Sequence, residues 1–326
     1  MATNKRLKTI FLLIGITITG CMASLPSGHI PSPKTYERTM DYWTDGFQRS
    51  YLVHVPPSYD RQNTLPLVVV VHGAFDTAKG MEKFSGFSDV ADREGFVVMY
   101  PNGIGLFGFL QHWNAGHCCG KAASDGIDDI GFVAAAIEEI CTRLHIDRNR
   151  VYMTGFSNGG MFTYRFAAER GDLLAAAAPL AGSIGGKASE DVPEWRSPEP
   201  VRALPVITFH GLSDQEVPYG GGISPNRGGP RVYLSVVESI QFWIRNNGCN
   251  SEAEKKDLLN GRIHFWQWKD CRTSSPVLLY AIENWGHDWP GKYYTSTLEE
   301  KDPIRDFDAA EIIWNFFKIY RRQEKS

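Results

Sequence analysis

Neither sign of charge dominates this chain: 34 Lys and Arg stand against 37 Asp and Glu across 326 residues, for a formal net charge of -3. Basic residues are scattered, with only short clusters such as Lys5, Arg6 and Lys8. The electrostatic footprint of a nucleic-acid-binding surface is therefore missing, and a small or neutral partner is expected. Tandem repeats and long low-complexity stretches are absent too. With 43% hydrophobic residues the chain can bury a full core, and its length suits one large α/β domain as well as two small ones. The triplet Gly220-Gly221-Gly222 is followed by no Gly-Lys-Ser/Thr and framed by no strand-to-helix turn, which excludes a phosphate cradle of the P-loop kind. No apolar run has the length of a comfortable membrane span.

The nearest approach to one, Ile10 to Ile18, follows the basic cluster and runs into Thr19-Gly20-Cys21, the layout of a secretory signal. Ile18-Thr19-Gly20-Cys21 also resembles a bacterial lipobox, in which the cysteine is acylated and becomes the mature N-terminus. An ordinary signal with an incidental cysteine is the alternative. On the lipobox reading, residues 1–20 are a lipoprotein signal peptide and Cys21 anchors the chain to a membrane without spanning it. Residues 21–37 are then a flexible tether ahead of a single domain, 38–326. The expected location is the cell envelope or the exterior, where the other five cysteines can oxidise. Cys249 ends a helical segment and Cys271 follows the strand candidate Ile263 to Lys269, so a Cys249–Cys271 disulfide is expected. Spacing leaves the pairing of Cys118, Cys119 and Cys141 open.

Apolar strand candidates recur at 51–55, 67–71, 96–100, 151–154, 175–180, 206–210 and 277–282, mostly as continuous runs, as expected of strands covered on both faces. Helical patterns lie between them at 81–94, 127–144, 158–170, 232–246 and 308–321. This alternation predicts an α/β fold with a mostly parallel sheet and ligands at the carboxyl ends of its strands. Two long segments, 184–204 and 219–231, read as irregular and follow core strands. They are either part of a rim over the site or plain surface loops.

The most informative stretch is Gly155-Phe156-Ser157-Asn158-Gly159, between the apolar run Val151 to Thr154 and a helical pattern. A strand, a Gly-Xaa-Ser-Xaa-Gly turn and a helix are what a nucleophile elbow requires. Side chains in place of the glycines would collide with neighbouring backbone, and the serine hydroxyl is presented in a strained conformation at the strand's end. A serine needs a histidine base, and the histidine a carboxylate, which an elbow of this type expects downstream. Of the three histidines after Ser157, His264 lies within an alternating strand and His210 closes a buried one. His287, in a loop just beyond the strand 277–282, is the candidate base. Asp214, in the loop after 206–210, is the candidate acid, with Glu216 as its rival. Two backbone donors must meet the oxyanion: Asn158 after the nucleophile, and Ala74 or Phe75 after His72-Gly73. His72 itself reads as a turn-stabilising residue.

Trp113, Trp285 and Trp289 are candidate aromatic walls for a phenolic or sugar-linked ester, with loop packing as the alternative for Trp285 and Trp289 and both roles expected of Trp113. His112, His117, Cys118 and Cys119 crowd one loop, but adjacent cysteines rarely ligate one ion together, so no metal is expected. Asp128 and Asp129 open a helix, where carboxylates satisfy free N–H groups.

Leu67-Val68-Val69-Val70-Val71-His72-Gly73, Trp113-Asn114-Ala115-Gly116-His117-Cys118-Cys119-Gly120, Asp128-Asp129-Ile130-Gly131-Phe132, the elbow, His210-Gly211-Leu212-Ser213-Asp214 and Gly286-His287-Asp288-Trp289-Pro290-Gly291 occur in that order. Together, over residues 50 to 320, they resemble secreted α/β-hydrolase esterases of the polyhydroxybutyrate depolymerase-like and feruloyl esterase-like type, lipoproteins among them. The resemblance implies the α/β-hydrolase fold, a triad of Ser157, Asp214 and His287, an ester substrate and no cofactor. Phe75 stands where many such relatives carry glycine, and its ring narrows the expected acyl pocket. No polymer-binding module is recognisable, so soluble esters or oligomers are expected over solid polyester. The competing readings are a non-catalytic envelope lipoprotein that binds through the same fold, and an acyltransferase with the same triad.

Overall fold

A computed structural model describes residues 34–44, 46–105, 108–226, 231–291 and 302–322. The signal, the lipobox and Cys21 lie outside the described residues. Residues 34–37, expected in the tether, instead open a strand: β1 (Lys34–Thr44) forms a hairpin with β2 (Phe47–Val55), and Tyr36 is buried beneath it.

The hairpin is one end of a ten-stranded sheet. Its other strands are β3 (Leu65–Val71), β4 (Val97–Pro101), β5 (Ile146–Phe156), β6 (Ala176–Leu180), β9 (Val206–Gly211), β12 (Glu254–Leu258), β13 (Ile263–Trp268) and β14 (Val277–Ile282). The order is β1-β2-β4-β3-β5-β6-β9-β14-β13-β12. The six strands from β4 to β14 run parallel, and antiparallel hairpins flank them on each side. Whole runs are buried, from Leu67 to Val71 and from Val97 to Tyr100, because helices cover both faces of these strands.

One face is covered by α4 (Asp129–Arg143), α5 (Asn158–Glu169) and α6 (Val236–Asn247), through Phe132, Phe162 and Trp243 among others. The other carries α1 (Ala78–Ser85), α2 (Phe87–Glu94) and α7 (Ala309–Phe317), through Met81, Phe87 and Trp314. The short α3 (Gly120–Ser124) precedes α4. The helix expected at 81–94 is thus two, separated at Gly86, whose φ of 68° ends one and starts the next. The helix expected from 232 begins at Val236, where Ser235 and Glu238 form a capping box.

Both segments expected to be irregular contribute strands. β7 (Gly185–Lys187) and β8 (Trp195–Arg196) come from the first and β10 (Gly222–Ile223) from the second, while β11 (Val232–Tyr233) takes the first two residues of the helix expected at 232–246. They pair as a separate four-stranded sheet in the order β10-β11-β7-β8. Segments that follow β6 and β9 are thereby tied to each other beyond the carboxyl ends of the parallel strands. The fold is that of an α/β hydrolase. Among the described residues no helix is long and apolar enough to cross a membrane.

Candidate active site

Ser157 stands between the last residue of β5 and the first of α5, with φ 55° and ψ -119°. That is left-handed backbone a serine rarely adopts, held in place by its surroundings. A Cβ on Gly155 would strike the carbonyl oxygen of Gly159, and one on Gly159 would strike those of Val71 and His72. The glycines are therefore required by close approach of the chain to itself.

The loop after β14 brings His287 to this turn. Its Nε2 lies 2.8 Å from Ser157 Oγ and its Nδ1 2.7 Å from Asp214 Oδ2. With Nδ1–H donating to the carboxylate, Nε2 is the atom free to accept the serine proton. Asp214 is buried after β9 and receives more than the imidazole: the N–H groups of Glu216 and Val217 both donate to Oδ1 at 2.8 Å. Burial alone would push the Asp214 carboxyl up, but hydrogen bonds from His210 and His287 outweigh it and hold the carboxyl well below the usual carboxylate range. Glu216, the rival for the acid, instead serves Asp214 through its main chain.

Of the expected oxyanion donors, the Asn158 and Ala74 N–H groups have no acceptor among the described residues. The Phe75 N–H donates to Gln111 O at 2.8 Å, which removes Phe75 as a donor and leaves Ala74. The Phe75 ring is 57% exposed and meets His112 edge-on at 4.6 Å. His72 fixes the neighbouring backbone, donating from Nδ1 to Gly73 O at 2.7 Å and accepting at Nε2 from Gly103 N at 3.0 Å. Burial pulls its imidazole down to about 4, so it is neutral in this role.

The three tryptophans expected as substrate walls do not have that role here. Trp113, Trp285 and Trp289 are 0%, 6% and 2% exposed. Their rings belong to the core and their groups to loop scaffolding: Trp113 Nε1 donates to His72 O and Trp285 Nε1 to Asp288 O, while Trp289 packs on Phe84 and Phe87. Cys249 and Cys271 are joined as expected, Cys118 and Cys119 are paired with each other, and Cys141 is free. No group of three or more His, Cys, Asp or Glu among the described residues could hold a metal ion.

Three features escaped the sequence reading. Asn158 is clamped by its side chain as well as placed by the turn: Trp113 N donates to its Oδ1 at 2.8 Å and its Nδ2 donates to Trp113 O at 3.1 Å. Behind this clamp lies a buried ion pair, Asp129 with Arg49 at 2.7 Å, whose second carboxylate oxygen accepts from Asn114 N at 2.8 Å. Only Asp128 is a cap, accepting from Gly131 N. Finally, His210 Nε2 lies 2.8 Å from Val217 O and 3.3 Å from Asp214 Oδ2, so a second, sealed histidine backs the acid. Its position four residues before Asp214 across a turn was the available signal.

Comparison with known proteins finds that residues 49–194 match the family described as Esterase PHB depolymerase. The chain is 28% identical to feruloyl esterase B of Piromyces equi over 241 residues, 73% of this chain but only 42% of that protein. It is 23% identical to feruloyl esterase D of Neurospora crassa, covering 97% of this chain and 98% of the relative. Among solved structures, the acetyl xylan esterase of Aspergillus awamori superposes with a TM-score of 0.56 at 16% identity, over 79% of this chain and 95% of that one. A ferulic acid esterase of Anaeromyces mucronatus, solved with ferulic acid, gives 0.54 at 13% identity, over 91% and 93%. The resemblance carried by the motifs is the one these comparisons find.

Proposed function

We propose that this chain is a serine esterase that hydrolyses carboxylic esters through an acyl-enzyme intermediate, a reading carried by the continuous line of hydrogen bonds from Ser157 through His287 to Asp214. Ser157 Oγ attacks the ester carbonyl while His287 Nε2 takes its proton. Asp214, ionised and held by four donors, stabilises the imidazolium. The carbonyl oxygen becomes an oxyanion received by the N–H groups of Asn158 and Ala74. His287 then gives its proton to the leaving alcohol, and water repeats the sequence to release the acid.

The relatives named as feruloyl and acetyl xylan esterases favour an ester carried on a glycan, with short hydroxyalkanoate esters as the competing substrate. The exposed Phe75 ring, next to Ala74, offers a flat apolar surface to the acid half. Residues 1–20 acting as a lipoprotein signal, with acylation of Cys21, complete the proposal for an exported enzyme whose domain includes residues 34–37.

The test is a panel of p-nitrophenyl acetate and butyrate, methyl ferulate and hydroxybutyrate oligomers, given to the parent and to Ser157→Ala. Turnover by the parent that disappears in the variant is expected, with the best ester identifying the acyl class. Persistent turnover in Ser157→Ala would refute the assignment. A folded parent inert on every ester and unlabelled by a fluorophosphonate would favour a binding protein on the same fold.

A further inference from the structure

Trp266 and Trp268 keep part of their surface accessible on the edge hairpin. A cavity of about 860 Å³ separates α6 from the β12–β13 hairpin and is lined by Trp266, Trp268 and Tyr219. Trp266 and Trp268 are two residues apart on β13, so both indoles project from one face of the sheet, about 7 Å apart. Both are half-buried. Trp268 Nε1–H donates to Ser251 O at 3.3 Å, so what this residue offers the cavity is its ring. At the other end, the Tyr219 ring stands 5.9 Å from that of His210, the residue that backs Asp214. The groove therefore begins behind the acid loop and follows β13 to Trp268, which lies in register with Val277 at the amino end of β14.

Its rim is polar. Gln241 and Arg245 rise one turn apart on the exposed side of α6, and Glu252 stands exposed after the helix. None of these three side chains has a hydrogen-bond or ion-pair partner among the described residues.

We propose that this groove is a glycan-binding site, separate from the serine centre, that takes a β-linked oligosaccharide. Pyranose rings present C–H faces that stack on indole and phenol rings, and their equatorial hydroxyls match planar amide, guanidinium and carboxylate groups. Two indoles on alternate strand positions supply successive platforms for an extended chain. A fatty acyl chain fits the aromatic wall and the aliphatic Val237, Ile240, Ile244 and Leu279 that also line the cavity, but it would make no use of Gln241 and Glu252 at the rim. The site stands whether or not Ser157 is the nucleophile.

The test titrates the full chain carrying Ser157→Ala with xylohexaose, cellohexaose and lauric acid, following tryptophan fluorescence and the heat of binding. Saturable binding of a hexasaccharide is expected, weakened about tenfold or more by Trp266→Ala, the effect of losing one aromatic platform. Thermal melting checks that this variant is folded. If it is not, Gln241→Ala and Arg245→Ala, on exposed helix surface, must weaken binding in its place. Absence of saturable glycan binding, affinity unchanged in these variants, or saturation by lauric acid alone would overturn the proposal.

Discussion

Around Ser157 polar side chains are held by other buried groups, whereas along the edge hairpin of β12 and β13 the same kinds of pairs stand in water. Arg49 and Asp129 have side chains 1% and 0% exposed, and their pair continues through Asn114 and Trp113 to the clamp on Asn158. Lys269 and Glu254 on the hairpin are 45% and 55% exposed, and His264 bridges the exposed Asp257 to Glu283. The distances match, 2.7 Å for each Lys or Arg pair. Depth separates them: out of water, a network fixes geometry and becomes costly to break, while in water a pair is replaced by solvent. The centre of the sheet is over-determined where the proposed chemistry sits, and the edge leaves polar groups available to a ligand.

The sharpest break in that comparison comes from the proposed triad. His287→Ala and Asp214→Asn should each lower kcat on a soluble ester by about 10³ to 10⁴-fold or more with the fold intact, the scale set by loss of a triad member. Steady-state kinetics and melting curves on each variant check this. A His287→Ala enzyme with most of its activity would move the base elsewhere.

Next in size is the buried pair. Asp129→Asn keeps the shape of the side chain but leaves the Arg49 cation buried without its counter-charge, and should lose about 3–5 kcal/mol of stability. Thermal melting should fall on the order of 10 °C. Activity should fall as well, because the Asn114–Trp113 segment loses the acceptor that orders it. Asp128→Asn, one residue earlier, should change little, since asparagine caps a helix as aspartate does. Equal effects from the two variants would mean that depth is not what distinguishes them.

These neighbouring aspartates also show where the sequence is legible. Helix caps and elbows are local grammar, written within four residues, and so the Asp128 cap, the strand–turn–helix around Ser157 and the parallel strands could all be read directly. The order Ser157, Asp214, His287 was readable because each residue ends or follows a recognisable strand. The partner of Asp129 was not, because Arg49 lies 80 residues away on β2 and nothing periodic marks it. Trp113, Trp285 and Trp289 failed as ligand walls for a related reason: a tryptophan in a loop reads the same whether it faces a ligand or pins the loop to the core. Gly86 broke an apparent helix because two amphipathic runs of eight residues each abut with only that glycine between them. The hairpins at both sheet edges, with mixed polarity and one face open, carry a weaker signal than the buried central strands.

A smaller effect separates Asp288 from both groups. Burial pushes its carboxyl up to about 7, partly offset by the Trp289 N–H donated to it. A carboxyl that holds its proton more tightly when folded favours the fold most at acid pH, and that contribution is lost as pH rises from the ordinary aspartate range through about 7. Asp288→Asn does not titrate and its amide oxygen can still accept from Trp289. The variant should therefore melt above the parent at about pH 8 and converge with it near the ordinary aspartate range, about pH 4. Parallel curves across that range would show that the carboxyl titrates in its ordinary range.

The smallest expected effect lies on the edge hairpin, and for that reason it tests the comparison most directly. Lys269→Ala removes a 2.7 Å ion pair with Glu254, the same length as the ion pair that Asp129→Asn deprives of its negative charge. If ion-pair geometry set the contribution, the two variants would melt alike. With both partners in water, the carboxylate of Glu254 is rehydrated as soon as the ammonium leaves, and the ordering of two long side chains is relieved at the same time. Melting temperature, ester turnover and their salt dependence should all match the parent for Lys269→Ala. A drop comparable to that of Asp129→Asn would mean that the hairpin is coupled to the core through contacts its exposure does not suggest, and the contrast between the two regions would have to be sought in connectivity instead of depth.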